Sequence, residues 1–128
     1  MSTVDTSDSS ERPSVQFRMR IRHRSLIALG PGKIELLEHI QQSGSISAAA
    51  RAMNMSYRRA WLLIDEINRA LREPVVETST GGTHGGGARL TETGQAVIRH
   101  YRTIEEIAHK AAAKDLQALV NLLAPDQA

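Results

Sequence analysis

The chain has 128 residues, 41% of them hydrophobic and only 3% aromatic, and a formal net charge of +2. That is apolar material for one aliphatic, alanine-rich core, hence one domain with a tail. The absence of cysteine excludes a disulfide scaffold, a thiolate metal site and a cysteine nucleophile. No apolar run approaches the roughly 20 residues that span a bilayer, and the N-terminus lacks the apolar stretch of a secretory signal, so a cytoplasmic protein without a membrane partner is expected.

Residues 1–16, rich in Ser, Thr and Asp, read as a disordered tail. Phe17, Met19 and Ile21 then alternate with Arg18, Arg20 and Arg22, the period of a half-buried strand with one basic face. This strand is expected to pair with a later hairpin or with a partner subunit, its arginines in solvent. Gly30-Pro31-Gly32 ends it, and Pro31 suits the first turn of a helix. Ile34, Leu37 and Ile40, with Leu36 beside them, give that helix one apolar face, and Gly44 supplies a left-handed end. Ser45 or Ser47 caps a second helix whose run Ala48-Ala49-Ala50 leaves little bulk, so another helix can cross it closely. Asn54 tolerates the left-handed backbone of a tight turn. Ser56 caps a third helix with the inward stripe Ala60, Ile64, Ile67 and Leu71, and Pro74 stops it.

Val75–Thr78 and Ala88–Leu90 read as a hairpin around the glycine-rich loop 81–87. Thr91 caps a last helix running to about Leu123. In it Val97, Tyr101, Ile104, Ala108 and Ala111 recur at steps of four and three, the seam of a coiled coil. Asp115 breaks the pattern before Leu116, Leu119, Val120 and Leu123 resume it. A helix of about 30 residues reaches roughly 45 Å, more than one small domain can cover, so this seam is assigned to a homodimer.

Strand, helix, helix, turn, helix, hairpin, long helix is the order of a mainly α winged helix-turn-helix with a two- or three-stranded wing sheet and a long C-terminal dimerisation helix. The DNA-binding domain is placed at 17–92 and the linker and dimerisation helix at 93–124. From Phe17 to Ala60 eight basic residues face two acids, an excess of six that favours a polyanion. Ser56, Tyr57, Arg58 and Arg59 stand at the start of the helix that would enter a major groove. Two arginines there suit guanine edges or phosphates. Ser45, Ser47 and Arg51 of the preceding helix, and Thr83 and His84 of the loop, complete the expected DNA-binding set. Trp61 reads as a core or wedge residue under the wing.

Other chemistry finds little support. The glycine cluster lacks the Gly-Lys-Ser/Thr of a phosphate loop. His23, His39, His100 and His109 show no metal-ligand spacing, and Glu105-Glu106 reads as solvated helix surface. No catalytic residue, metal or cofactor is expected, and no enzyme.

Ser45-Ile46-Ser47-Ala48-Ala49-Ala50, Ser56-Tyr57 with Ala60-Trp61, Thr80-Gly81-Gly82, Gly85-Gly86-Gly87 and Leu90-Thr91-Glu92-Thr93-Gly94 strongly resemble the N-terminal domain of the ModE family. These are molybdate-responsive transcription regulators whose winged helix is similar to that of LysR-type regulators. The resemblance covers about Phe17 to Ala113. It implies a dimer joined mainly through the long helix, a palindromic operator and a link to molybdenum genes. Such regulators carry oxyanion-binding domains after the linker helix, whereas this chain ends at Ala128. The expectation is therefore a sequence-specific, ModE-like regulator of double-stranded DNA without molybdate-binding domains. It would act constitutively, through its abundance, or through a partner protein in place of the effector domain. The alternative is a dimeric winged-helix module that binds protein and no DNA; such a module has no need of exposed arginines at a helix tip.

Overall fold

The computed structural model describes residues 12–79 and 87–125. They fall into two compact units, Arg18–Thr103 and the described parts of Met1–Phe17 with Ile104–Ala128. The expected disordered tail thus lies mostly outside the described residues.

The expected first strand is shorter than its sequence pattern. Burial does alternate from Val15 to Arg20, with Val15, Phe17 and Met19 half-buried and Gln16, Arg18 and Arg20 exposed. Pairing, however, begins only at β1 (Ile21–His23), and within the chain its partner is not the later hairpin. It is β2 (Leu26–Leu29), joined antiparallel through a two-residue turn. Arg24 and Ser25 occupy that turn with φ of 55° and 68°, the left-handed pair that a tight hairpin of matching twist needs. Neither residue type announces such a turn, so the hairpin was hidden from the pattern. Gly30-Pro31-Gly32 consequently ends β2, not β1.

Helix α1 (Pro31–Ser43) buries Ile34, Leu36, Leu37 and Ile40 completely. It ends where Gly44, at φ 71°, turns its N–H back to the Ile40 carbonyl at 2.8 Å. Helix α2 (Ile46–Ala52) is capped by Ser45, whose hydroxyl accepts the Ala48 N–H at 3.0 Å. Its buried alanines, Ala49 and Ala50, hold the interhelical distance small, as their size dictates. Asn54 takes the left-handed turn at φ 55°. Helix α3 (Tyr57–Ala70) follows, with Ala60, Ile64 and Ile67 buried and Leu71 half-buried just past its end.

Strands β3 (Val76–Ser79) and β4 (Gly87–Leu90) pair antiparallel, Val76 opposite Leu90 and Ser79 opposite Gly87. The Ala88 N–H bonds the Gly44 carbonyl at 3.0 Å and fastens this wing to the end of α1. Val75, Val76, Ala88 and Leu90 close the core built by α1, α2 and α3. Thr91 caps α4 (Glu92–Ala111): its hydroxyl accepts the Gly94 N–H at 3.0 Å and donates to the Pro74 carbonyl at 2.7 Å.

The last helix, expected to run unbroken to about Leu123, is interrupted. Ala112, at φ −98° and ψ 10°, separates α4 from α5 (Ala113–Val120). Regular bonding continues on both sides, from Ala112 N–H to Ala108 and from Leu116 N–H to Ala112. Asp115, expected to break the apolar pattern, sits in the first turn of α5, where a carboxylate is favoured by the helix dipole.

Two polar ties fasten the first unit. Lys33 counts toward the basic excess in the sequence, yet it is buried. Its ammonium donates to the Ile27 carbonyl and pairs with Glu66 at 2.9 Å, joining β2 to α1 and α3. The exposed basic side therefore consists of arginines alone. Arg102 of α4 reaches Glu38 of α1 with two bonds, Nε to Oε2 at 2.9 Å and Nη2 to Oε1 at 2.7 Å. Hydrogen bonding from Arg102 holds the Glu38 carboxyl below its usual range, although partial burial opposes this.

A carboxylate so lowered stabilises the fold above its unfolded pKa, and that contribution disappears as pH falls through the folded value. Both side chains are partly solvated, so the pair should contribute only about 0.5–1 kcal/mol. Urea unfolding should show Glu38→Gln less stable than the parent by that amount at pH 7. The gap should shrink as pH falls below the unfolded value of about 4.3 and close once the folded carboxyl is protonated too. A gap that persists in acid would assign the loss to packing and not to charge.

Candidate nucleic-acid interface

The N-terminus of α3 is built by its cap. The Ser56 hydroxyl accepts the Arg59 N–H at 3.0 Å, which fixes the first turn and leaves its side chains radiating outward. Tyr57 is 53% exposed, and Arg58 and Arg59 are exposed beside it. A helix turns about 100° per residue, and Ala60, Ile64 and Ile67 define its buried side. Arg58 falls nearly opposite that side, as does the exposed Leu62. Tyr57 and Trp61 occupy the flank toward the wing, and Arg59 the other flank.

The remaining expected residues divide clearly. Ser45 is half-buried as the α2 cap, while Ser47 and Arg51 are exposed. Thr83 and His84 lie outside the described residues. Among the described residues no carboxylate pairs with Arg51, Arg58 or Arg59. Arg69, Arg89 and Arg102, by contrast, are matched to Asp65, Glu77 and Glu38. Arginines left unmatched at a capped helix tip offer their full fork of donors to an external anion.

Trp61 is not a core residue. It is 36% exposed and meets Tyr57 edge to face, ring centroids 6.3 Å apart. Together they form one wall of a groove of about 300 Å³ between α3 and the wing. Ser45 and Ser47 at the start of α2, and Thr78, Ser79, Gly87 and Ala88 of the wing, line the rest of it. Thr78 and Ser79 were not singled out from the sequence, although the period of β3 is enough to place one of them toward the helices.

The expected dimer seam is partly used within the chain. Val97 packs on the core, and Tyr101 is 2% exposed with its hydroxyl donating to the Met19 carbonyl at 2.8 Å. Ala108 is half-buried and Ala111 exposed. Ile104 and Ile107 of α4 are exposed, as are Leu119, Leu122 and Leu123. In the second unit, the Phe17 ring stands edge-on to His109 at 4.7 Å. Among the described residues no group of three or more His, Asp or Glu is placed to hold a metal ion, and no helix is long and apolar enough to cross a membrane.

The sequence model described as "bacterial regulatory helix-turn-helix protein, lysR family" matches residues 32–95, half of the chain. The chain belongs to this family. The match runs from the first turn of α1 to the first turn of α4, so it spans the helix pair, α3 and the wing of this LysR-type chain.

Its relatives include the "DNA-binding transcriptional dual regulator ModE" of Escherichia coli strain K12, 46% identical over 81 residues, which are 63% of this chain and 31% of that protein. The "molybdenum transport protein ModE" of Azotobacter vinelandii is 39% identical over 94 residues, 73% of this chain and 34% of the relative. The "molybdenum-pterin-binding protein MopA" of Rhodobacter capsulatus is 41% identical over 83 residues, 65% and 31%. The LysR-type chain thus spans about a third of the length of the curated relatives it matches.

Among solved structures, the CbnR DBD–DNA complex matches with a TM-score of 0.53 at 20% identity, over 69% of this chain and 95% of that one. A LysR family transcriptional regulator matches with a TM-score of 0.52 at 19% identity, over 73% and 30%. These likenesses establish the winged-helix fold of the LysR-type chain.

Proposed function

We propose that this chain is a sequence-specific DNA-binding transcriptional regulator. The start of α3 enters a major groove and the wing reaches the adjacent minor groove. The observation that carries this reading is the capped tip of α3, where Tyr57, Arg58 and Arg59 stand exposed and, among the described residues, no carboxylate pairs with either arginine. The names of the relatives, DNA-binding regulators and molybdenum proteins, support both the activity and a link to molybdenum genes.

Two copies are proposed to associate through the apolar surface that α4 and α5 leave exposed, and so to bind a palindromic operator. Ile104, Ala108 and Ala111 of the expected seam belong to this surface, joined by Ile107, Leu119 and Leu122. Val97 and Tyr101 of that expected seam are taken up within their own unit instead. Burying several such side chains offers about 1.5–3 kcal/mol each. Half-sites should then lie one or a few helical turns apart.

The test is the anisotropy of a labelled duplex titrated with protein across a range of salt. Log affinity should fall linearly with log salt, at about −0.9 per neutralised phosphate. Absence of binding at low salt, or an affinity indifferent to salt, would leave the fold as a protein-interaction module.

A further inference from the structure

A duplex presents its major and minor grooves side by side, with one sugar-phosphate strand as the ridge between them. If α3 occupies one groove and the wing the next, as proposed above, that ridge must pass between α3 and the wing. The structure has a groove there, of about 300 Å³. We infer that it is the channel for this strand, and that Trp61, braced edge-on by Tyr57, is its apolar wall.

Three observations fit this one occupant. The first is where the aromatic residues go. The chain has four, Phe17, Tyr57, Trp61 and Tyr101. Tyr101 is buried and Phe17 half-buried, while Tyr57 and the only tryptophan stay exposed on one flank of α3, one helical turn apart. Leaving so much apolar ring in water forgoes burial that the small core could have used, so the ring is held for an external surface. The second is the chemistry of the facing walls. Ser47, Thr78 and Ser79 bring hydroxyl donors, and no acidic side chain is among the described residues that line the groove. A deoxyribose-phosphate strand presents an apolar sugar face and acceptor oxygens, the complement of a ring opposite hydroxyls. The third is the direction of Trp61. It lies on the flank of α3, away from the outward line through Arg58 and Leu62, so it meets the strand and not the base edges. Trp61 therefore sets the depth and register of α3 in its groove without reading sequence.

This inference rests on the DNA-binding reading, and one experiment separates the two. Trp61 is the sole tryptophan, so the emission of the intact chain reports on it alone. The protein is titrated with labelled duplexes of roughly 30 base pairs, about three helical turns, of several unrelated sequences. Anisotropy follows binding and tryptophan emission follows Trp61. Emission should change at saturation with every sequence. Trp61→Ala should weaken all duplexes by the same factor, about tenfold, as for a truncated aromatic anchor. Its salt slope should be unchanged, and Trp61→Phe should recover most of the loss. Emission that stays constant while anisotropy saturates overturns the channel and leaves DNA binding standing. So does a Trp61→Ala variant that changes sequence preference. Trp61→Ala and Trp61→Phe variants that both bind as tightly as the parent also overturn it. If no duplex binds at low salt, the DNA reading falls and the channel with it. Should Trp61→Ala fail to fold, the emission of the parent still decides.

Discussion

Gly94→Ala should destabilise the protein by about 3 kcal/mol or more and lower its Tm by about 10 °C or more. A β-carbon at this position would sit 2.3 Å from the Val75 carbonyl oxygen, 3.2 Å from the Val75 carbonyl carbon and 3.3 Å from Leu90 Cβ. The first two are backbone atoms and cannot swing aside. The same carbonyl accepts the Thr91 N–H at 3.0 Å, and the Gly94 N–H is held by the Thr91 hydroxyl. The first turn of α4 is therefore pinned to the start of the wing from both sides, and one methyl group must push them apart. Gly32, in the first turn of α1, is the control. Nothing lies within 4 Å of a β-carbon there, so Gly32→Ala should be neutral or stabilising by up to about 1 kcal/mol. Thermal unfolding of the two variants checks the argument. Equal melting temperatures would show that the approach of α4 to the wing relaxes at little cost.

Much of this architecture was legible because local chemistry and global packing agree. Ser45, Ser56 and Thr91 each cap the helix that follows, and Gly44 and Asn54 each take the left-handed turn that their residue types permit. The apolar stripes of α1 and α3 are the buried faces. The failures have equally local causes. Arg24-Ser25 carries no turn signature, because its positive φ values are imposed by the pairing of β1 with β2 and not preferred by either side chain. Lys33 looks like surface charge until Glu66, 33 positions away in the chain, supplies its partner. Tyr101 keeps the heptad spacing yet is captured by a carbonyl of the N-terminal segment, a contact between distant residues that no periodicity encodes. Trp61 was expected as a core or wedge residue under the wing; it does stand beside the wing, but exposed and outside the core. Its place on the flank of α3 follows from the helical angle to Ala60 and Ile64, which the sequence did contain.

Arg58→Ala and Arg59→Ala should both weaken DNA binding, but in different ways. The two side chains leave adjacent positions about 100° apart on the helix, so they cannot address the same part of a duplex. Arg58 projects opposite the buried side of α3, a direction that on the proposed reading faces the base edges of the groove. Its removal should cost about 1–3 kcal/mol on the preferred sequence and relax preference at one position, while unrelated duplexes lose little. Arg59 projects along the flank away from the wing, where the other strand of the major groove would pass. Its removal should weaken every sequence alike and reduce the salt slope by about 1. The double variant should lose roughly the sum, about 30-fold or more, because the contacts are made to separate groups. Folding should be untouched. Both side chains are exposed, and the cap on α3 uses the Ser56 hydroxyl and the backbone of residue 59, so melting temperatures serve as the control. If both variants lose affinity uniformly, α3 is held against phosphates alone and sequence is read elsewhere. If neither loses affinity at an unchanged melting temperature, the tip of α3 is not the surface that meets DNA.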